Sequence, residues 1–203
     1  MSRRLIVLLA AMSLSSVAVA ALLREGDGGF RSGTFDPPRA APEFSLRGSD
    51  GSELTLSRFR GKVVVLEFGF THCPTVCPVT LGNLRRAVDE LGPSAKDVQV
   101  VFVTVDPERD TPERLRQYLE FFNPAFLGAT GMSADLDSRS AEIDVVQKAY
   151  GVFAQRTPLS GGYDVHHSSS VYLIDRNGVL RVLIPFGKAV EDIAHDIQLL
   201  LKQ

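Results

Sequence analysis

The chain has 203 residues, a net charge of −2, 44% hydrophobic and 23% charged residues, and two cysteines. This length suits one domain of about 150–170 residues plus an N-terminal appendage. The composition supports a core of ordinary size, which excludes a disordered chain and a disulfide-stapled miniprotein. No basic stripe stands out, which argues against nucleic acid as a partner.

Arg3 and Arg4 precede an uncharged run from Leu5 to Leu23, closed by Arg24 and Glu25. As a helix at ~1.5 Å per residue the run spans ~28 Å, close to the ~30 Å hydrocarbon thickness of a bilayer. Positive charge ahead of such a run stays cytoplasmic, so the remainder is expected on the far side. Residues 1–25 therefore read as a membrane anchor, or as a signal peptide cleaved after Ala18-Val19-Ala20. Residues 26–41 are rich in Gly and Pro and lack hydrophobic periodicity, the pattern of a flexible linker. The folded domain is expected over 42–203.

Lys62–Phe68 is a β-branched apolar run and predicts a strand buried on both faces. Leu81, Leu84, Val88 and Leu91 recur at helical spacing and predict a helix from Cys77 to Leu91, stopped by Gly92-Pro93. Val98–Val105 predicts a second buried strand. Asp110 as N-cap, Pro112 in the first turn and Glu113 predict a helix running to about Phe122. Ala134–Tyr150 reads as helix, ending at Gly151. Ser169–Ile174 and Val179–Ile184 read as strands joined by the turn Asp175-Arg176-Asn177-Gly178. Ala189–Leu201 closes the chain as an amphipathic helix. A βαβ unit followed by an antiparallel ββα unit is the order of an α/β thioredoxin-like fold, with an extra helix inserted before the C-terminal ββα unit. In such sheets active sites lie just beyond the carboxyl ends of the strands, which is where the first buried strand delivers the cysteines.

Cys73 and Cys77 are separated by three residues, whereas thioredoxin-type redox pairs are separated by two. On a helical turn, positions i and i+4 share a face, close enough for two thiolates to hold one metal ion or to form a disulfide. A helix N-terminus favours the thiolate form. A static disulfide, a redox-active pair and a metal site all fit this pattern. Soft thiolates select Cu(I), Zn or iron–sulfur clusters, and two sulfurs are too few for a structural zinc site. A third ligand must come from elsewhere. His72 adjoins Cys73 and is expected to point away. His195 lies within the last helix beside Asp196 and reads as a surface residue. His166 and His167 lie at the mouth of the strand that begins near Ser169, where the fold faces the cysteine helix. A peroxide-reducing site on the same fold would need a Thr/Arg pocket; Thr71 is near, but no arginine is evidently placed.

Three segments carry a family resemblance. Phe68-Gly69-Phe70-Thr71-His72-Cys73-Pro74-Thr75-Val76-Cys77-Pro78, Val103–Pro112 and His167–Asp175 resemble, in order, signature blocks of the Sco/SenC family, copper-binding proteins of cytochrome c oxidase assembly. The resemblance implies that Cys73, Cys77 and His167 bind copper as Cu(I) or Cu(II). It implies a metallochaperone that helps assemble the dinuclear copper centre of cytochrome c oxidase subunit II, or a thiol–disulfide oxidoreductase that reduces the cysteines of that centre. Asp106 is implied as a nearby residue that tunes the site or contacts a partner. The expected setting is the bacterial inner membrane, with the domain facing the periplasm. The other expected partners are periplasmic copper carriers or thiol reductants. His166 stands where the family usually has Asp, and Thr75 where relatives often carry an acidic residue.

Overall fold

A computed structural model describes residues 29–203, and Arg31–Gln203 form one unit. In chain order the elements are β1 (Gly33–Ala40), β2 (Ser45–Gly48), β3 (Glu53–Thr55), β4 (Val63–Gly69), α1 (Val76–Glu90), β5 (Val98–Thr104) and α2 (Pro112–Glu120). They continue with β6 (Leu127–Thr130), α3 (Leu136–Tyr150), β7 (Ala154–Leu159), β8 (Gly162–His167), β9 (Val171–Ile174), β10 (Val179–Ile184) and α4 (Val190–Leu201).

The two apolar runs form the centre of the sheet. β4 is buried along its whole length and pairs in parallel with β5, from Val63 opposite Val98 to Gly69 opposite Thr104. β9 runs antiparallel to β4, and β10 antiparallel to β9 across the expected Asp175–Gly178 turn. The order β10-β9-β4-β5, with β4 and β5 parallel, is the thioredoxin-like core. β6, β2 and β3 extend the sheet on one side and β1 on the other, eight strands in all.

Successive strand residues face opposite sides. Phe68 on β4 meets Tyr150 of α3 and Tyr172 of β9, with ring centroids 5.5 and 5.9 Å away. On the other face, Phe102 of β5 meets Tyr118 of α2 at 6.1 Å. α1 and α4 pack against each other beside that second layer.

Three sequence expectations change. The linker expectation for residues 26–41 fails for Gly33–Ala40, which pairs antiparallel with β10 from Gly33 opposite Leu183 to Ala40 opposite Val179. Its prolines, Pro37 and Pro38, lie inside the irregularity between Thr34 and Arg39 on an edge strand, the position where lost N–H donors cost least. Asp110 does not cap α2. Thr111 does, accepting from Arg114 N at 3.2 Å, because the Asp110 carboxylate is turned inward. The insertion before the ββα unit is also larger than one helix, since α3 is preceded by β6 and followed by the β7–β8 hairpin. The expected membrane or signal segment, residues 1–25, lies outside the described residues. Among the described residues no helix is long and apolar enough to cross a membrane.

Candidate metal centre

β4 ends at Gly69 and the chain turns through residues 70–75 before α1 begins at Val76. The two cysteines therefore do not sit on one helical turn. Cys73 lies in the loop, its N–H donating to Phe70 O at 3.1 Å, and Cys77 is the second residue of α1. Thr75, in the N-cap position, makes no side-chain capping bond. Cys73 Sγ accepts from Cys77 N at 3.4 Å instead, so the sulfur satisfies one of the orphan donors of the helix start. A thiolate is favoured there by the donor and by the helix dipole.

The two sulfurs are unequal. Cys77 is fully buried, and Cys73 is partly exposed; both are free thiols. A hydrogen bond from the Cys77 thiol, opposed by partial burial and helped by the N–H groups of Cys77 and Thr75, brings Cys73 down to about 4. The same bond, together with burial and the nearby Glu67, holds the Cys77 proton firmly on. Gly69 permits this arrangement: a Cβ there would stand 2.7 Å from Cys77 Sγ.

β8 ends at His167 and brings a third candidate ligand atom to the two sulfurs. His167 Nε2 is 3.5 Å from Cys77 Sγ, and Nδ1 lies 2.6 Å from Ser168 O. A carbonyl only accepts, so Nδ1 carries the proton, and in the neutral ring the Nε2 lone pair faces the sulfurs. The Phe70 ring meets the imidazole edge-to-face at 5.6 Å. The ligand atoms of Cys73, Cys77 and His167 all lie within 4.8 Å of one another.

The other sequence candidates separate cleanly. His166, one residue away on the strand, points out to solvent. His72 is also exposed, 3.9 Å from Asp110 Oδ1. His195 sits beside Asp196 on α4. Asp106 is fully buried, which removes it from direct contact with a partner protein. Its carboxylate accepts from Tyr163 Oη at 2.7 Å and Arg156 Nη2 at 3.3 Å, and is paired with Arg109 Nε.

Sequence reasoning missed three groups near the pair. Asp110 accepts from Thr71 N at 3.0 Å, Thr71 Oγ1 at 2.7 Å and Thr104 Oγ1 at 2.7 Å, tying the cysteine loop to β5. Arg114 Nε reaches Thr71 Oγ1 at 3.2 Å, but that hydroxyl is already committed to Asp110 and is not presented to a sulfur. Glu67, on the same strand face as Gly69, is buried with Oε2 unpartnered among the described residues. Burial, and then the charge of Cys73, push its carboxyl well above the ordinary value of 4.5. A lone acidic letter in an otherwise apolar strand was the available signal for it.

The SCO1/SenC family model matches residues 33–202. The chain belongs to the SCO1/SenC family. It is 37% identical over 138 residues to an SCO2-like protein of Rickettsia prowazekii, covering 66% of this chain and 64% of that one. It is 36% identical over 160 residues to the mitochondrial SCO2 homolog of Bos taurus, covering 77% of this chain and 58% of that one. Its fold superimposes on Bradyrhizobium japonicum ScoI with copper bound at a TM-score of 0.71 and 33% identity, covering 79% of this chain and 99% of that one. The chain thus spans less than two thirds of both curated relatives, and nearly the whole of the copper-bound ScoI chain.

Proposed function

We propose that this SCO1/SenC protein binds one copper ion through Cys73 Sγ, Cys77 Sγ and His167 Nε2 and passes it to an acceptor protein. The observation that carries the reading is the convergence of two sulfurs and one imidazole nitrogen within 4.8 Å. The donor set fits the metal: thiolates are soft ligands that select Cu(I), and imidazole also serves Cu(II). The oriented His167 tautomer and the low Cys73 titration supply two of the three deprotonated donors, and Cys77 gives up its proton as the metal binds. The copper-bound ScoI relative supports the choice of copper. When bound, copper supplies a site that an acceptor's thiolate can enter by ligand exchange. The family resemblance points to the dinuclear copper centre of cytochrome c oxidase subunit II as the acceptor. The N-terminal apolar run would hold or export the domain on the periplasmic face of the inner membrane.

The inequality of the sulfurs favours a second reading, reduction of that centre's cysteines. The Cys73 thiolate would attack an acceptor disulfide and release one acceptor thiol. Cys77 would give up its proton and attack Cys73 Sγ, releasing the second thiol. Two electrons leave the pair, which becomes a disulfide and needs an external thiol to restore it.

Titrating the reduced full chain with copper tests the first reading. The result expected is one copper bound per chain, with a sulfur-to-Cu(II) charge-transfer band that Cys73→Ser and Cys77→Ser each abolish. Absence of the band in the unmodified chain would refute it. Turnover on an oxidised subunit II fragment, without copper, tests the second; no thiol exchange with the fragment would remove it.

A further inference from the structure

We propose that Asp106, Arg109, Tyr163 and Arg156 form a clasp that seats the β7–β8 hairpin and so holds His167 over the cysteine pair. This rests on the ligand set proposed above, and it makes the four side chains positioning residues that act through the hairpin rather than at the metal.

The need for a clasp follows from the topology. His167 is the last residue of β8, but β7 and β8 form a two-stranded sheet of their own, apart from the eight-stranded sheet. A lone two-stranded hairpin is marginally stable in water. β7 is almost entirely exposed, so little apolar surface anchors it. At the histidine end, Ser168 and Phe153 exchange bonds: Ser168 N donates to Phe153 O at 2.9 Å, and Phe153 N donates to Ser168 Oγ at 3.0 Å. Val165 enters the core.

The remaining ties converge on the segment after β5. Tyr163 Oη and Arg156 Nη2 both donate to Asp106 Oδ1, at 2.7 and 3.3 Å. Arg156 Nη1 donates to Glu108 Oε2 at 2.7 Å, and Arg109 Nη1 to Tyr163 O at 3.3 Å. The Arg109 guanidinium stands 4.1 Å over the Tyr163 ring and 5.7 Å over the Phe70 ring. One side chain therefore contacts both the hairpin and the loop that carries Cys73. Phe70 in turn abuts the His167 imidazole. Asp106 is held from behind, its N–H donating to Thr104 Oγ1 at 2.9 Å. Two carboxylates face two guanidiniums, so the cluster is balanced in charge. Because Asp106 is fully buried, these charge-assisted bonds act in a low dielectric, where they are strongest.

The test is a double-mutant cycle on the full chain. Tyr163→Phe removes one clasp bond, and Arg156→Gln is a second, more exposed probe. Cu(II) affinity is measured by chelator competition, with and without His167→Ala. The clasp predicts about tenfold weaker binding for either variant in the parent chain, and less than about twofold change once His167 is absent. An equal loss in both backgrounds, or no loss in the parent chain, overturns it. A copper-free readout keeps the test independent of the proposed function. The His167 Hε1 resonance should carry a ring-current shift from Phe70 that moves toward the free-histidine value in both clasp variants. An unmoved shift overturns the clasp even if no form of the chain binds copper.

Discussion

Gly69→Ala tests whether the close approach of β4 to α1 builds the cysteine site. The added Cβ would stand 2.7 Å from Cys77 Sγ and 2.7 and 2.8 Å from two carbons of the Phe102 ring. Non-bonded heavy atoms rest at about 3.5–4.0 Å, so about 1 Å must be found. Neither neighbour yields easily. Both are fully buried; Cys77 is fixed to the helix backbone, and Phe102 backs onto Tyr118. Overpacking of this kind costs about 1–3 kcal/mol. For a domain of this size that lowers Tm by roughly 2–12 °C. Sites lose function when a ligand moves more than about 0.5 Å, so copper affinity should fall at least about tenfold. Gly82→Ala is the control. It lies within α1 with nothing within 4 Å of the new Cβ, so helix propensity should raise stability by about 0.5–1 kcal/mol. Calorimetry of the copper-free chain and chelator competition give both readouts. A Gly69→Ala chain that melts and binds copper like the parent would refute the reasoning.

Two further predictions concern protons. With Cys73 titrating at about 4, its alkylation by iodoacetamide in the reduced, copper-free chain should be nearly flat from pH 5.5 to 8. An ordinary thiol would accelerate about tenfold per pH unit over that range, and such a climb would show that Cys73 is not held as thiolate. Glu67 works in the opposite direction. Its folded titration lies above the ordinary 4.5, so the unfolded chain alone releases the proton as pH rises past that value, and stability is lost up to the folded value. Glu67→Gln removes the loss. The Tm difference between variant and parent should therefore move in the variant's favour between pH 4 and pH 8; a difference constant with pH would contradict the assignment.

The legible parts of this protein were those written in local pattern. The runs around Val63–Gly69 and Val98–Thr104 are apolar throughout because both faces of a central strand are covered, and they fix the core. The cysteine pair and the adjacent His166 and His167 stood out because thiols and imidazoles are scarce in the sequence, and the family resemblance then singled out His167. What escaped depends on partners far along the chain. β1 was hidden by Pro37 and Pro38, tolerated only because β10 pairs with it on either side of an irregularity. The β7–β8 hairpin has almost no apolar alternation; Tyr163 of that hairpin is bonded to Asp106, 57 residues earlier. Asp110 carries every local mark of a helix cap, yet its carboxylate is taken by Thr71, 39 residues before it. Spacing alone also misplaced Cys73, which precedes α1 and lends its sulfur to the helix start.

Copper K-edge X-ray absorption of the full chain loaded with one equivalent of copper tests the ligand set directly. The account predicts two sulfur scatterers and one imidazole nitrogen, and His167→Ala should lose the nitrogen while keeping both sulfurs. An imidazole contribution that survives in His167→Ala, or a parent spectrum with fewer than two sulfurs, would contradict it.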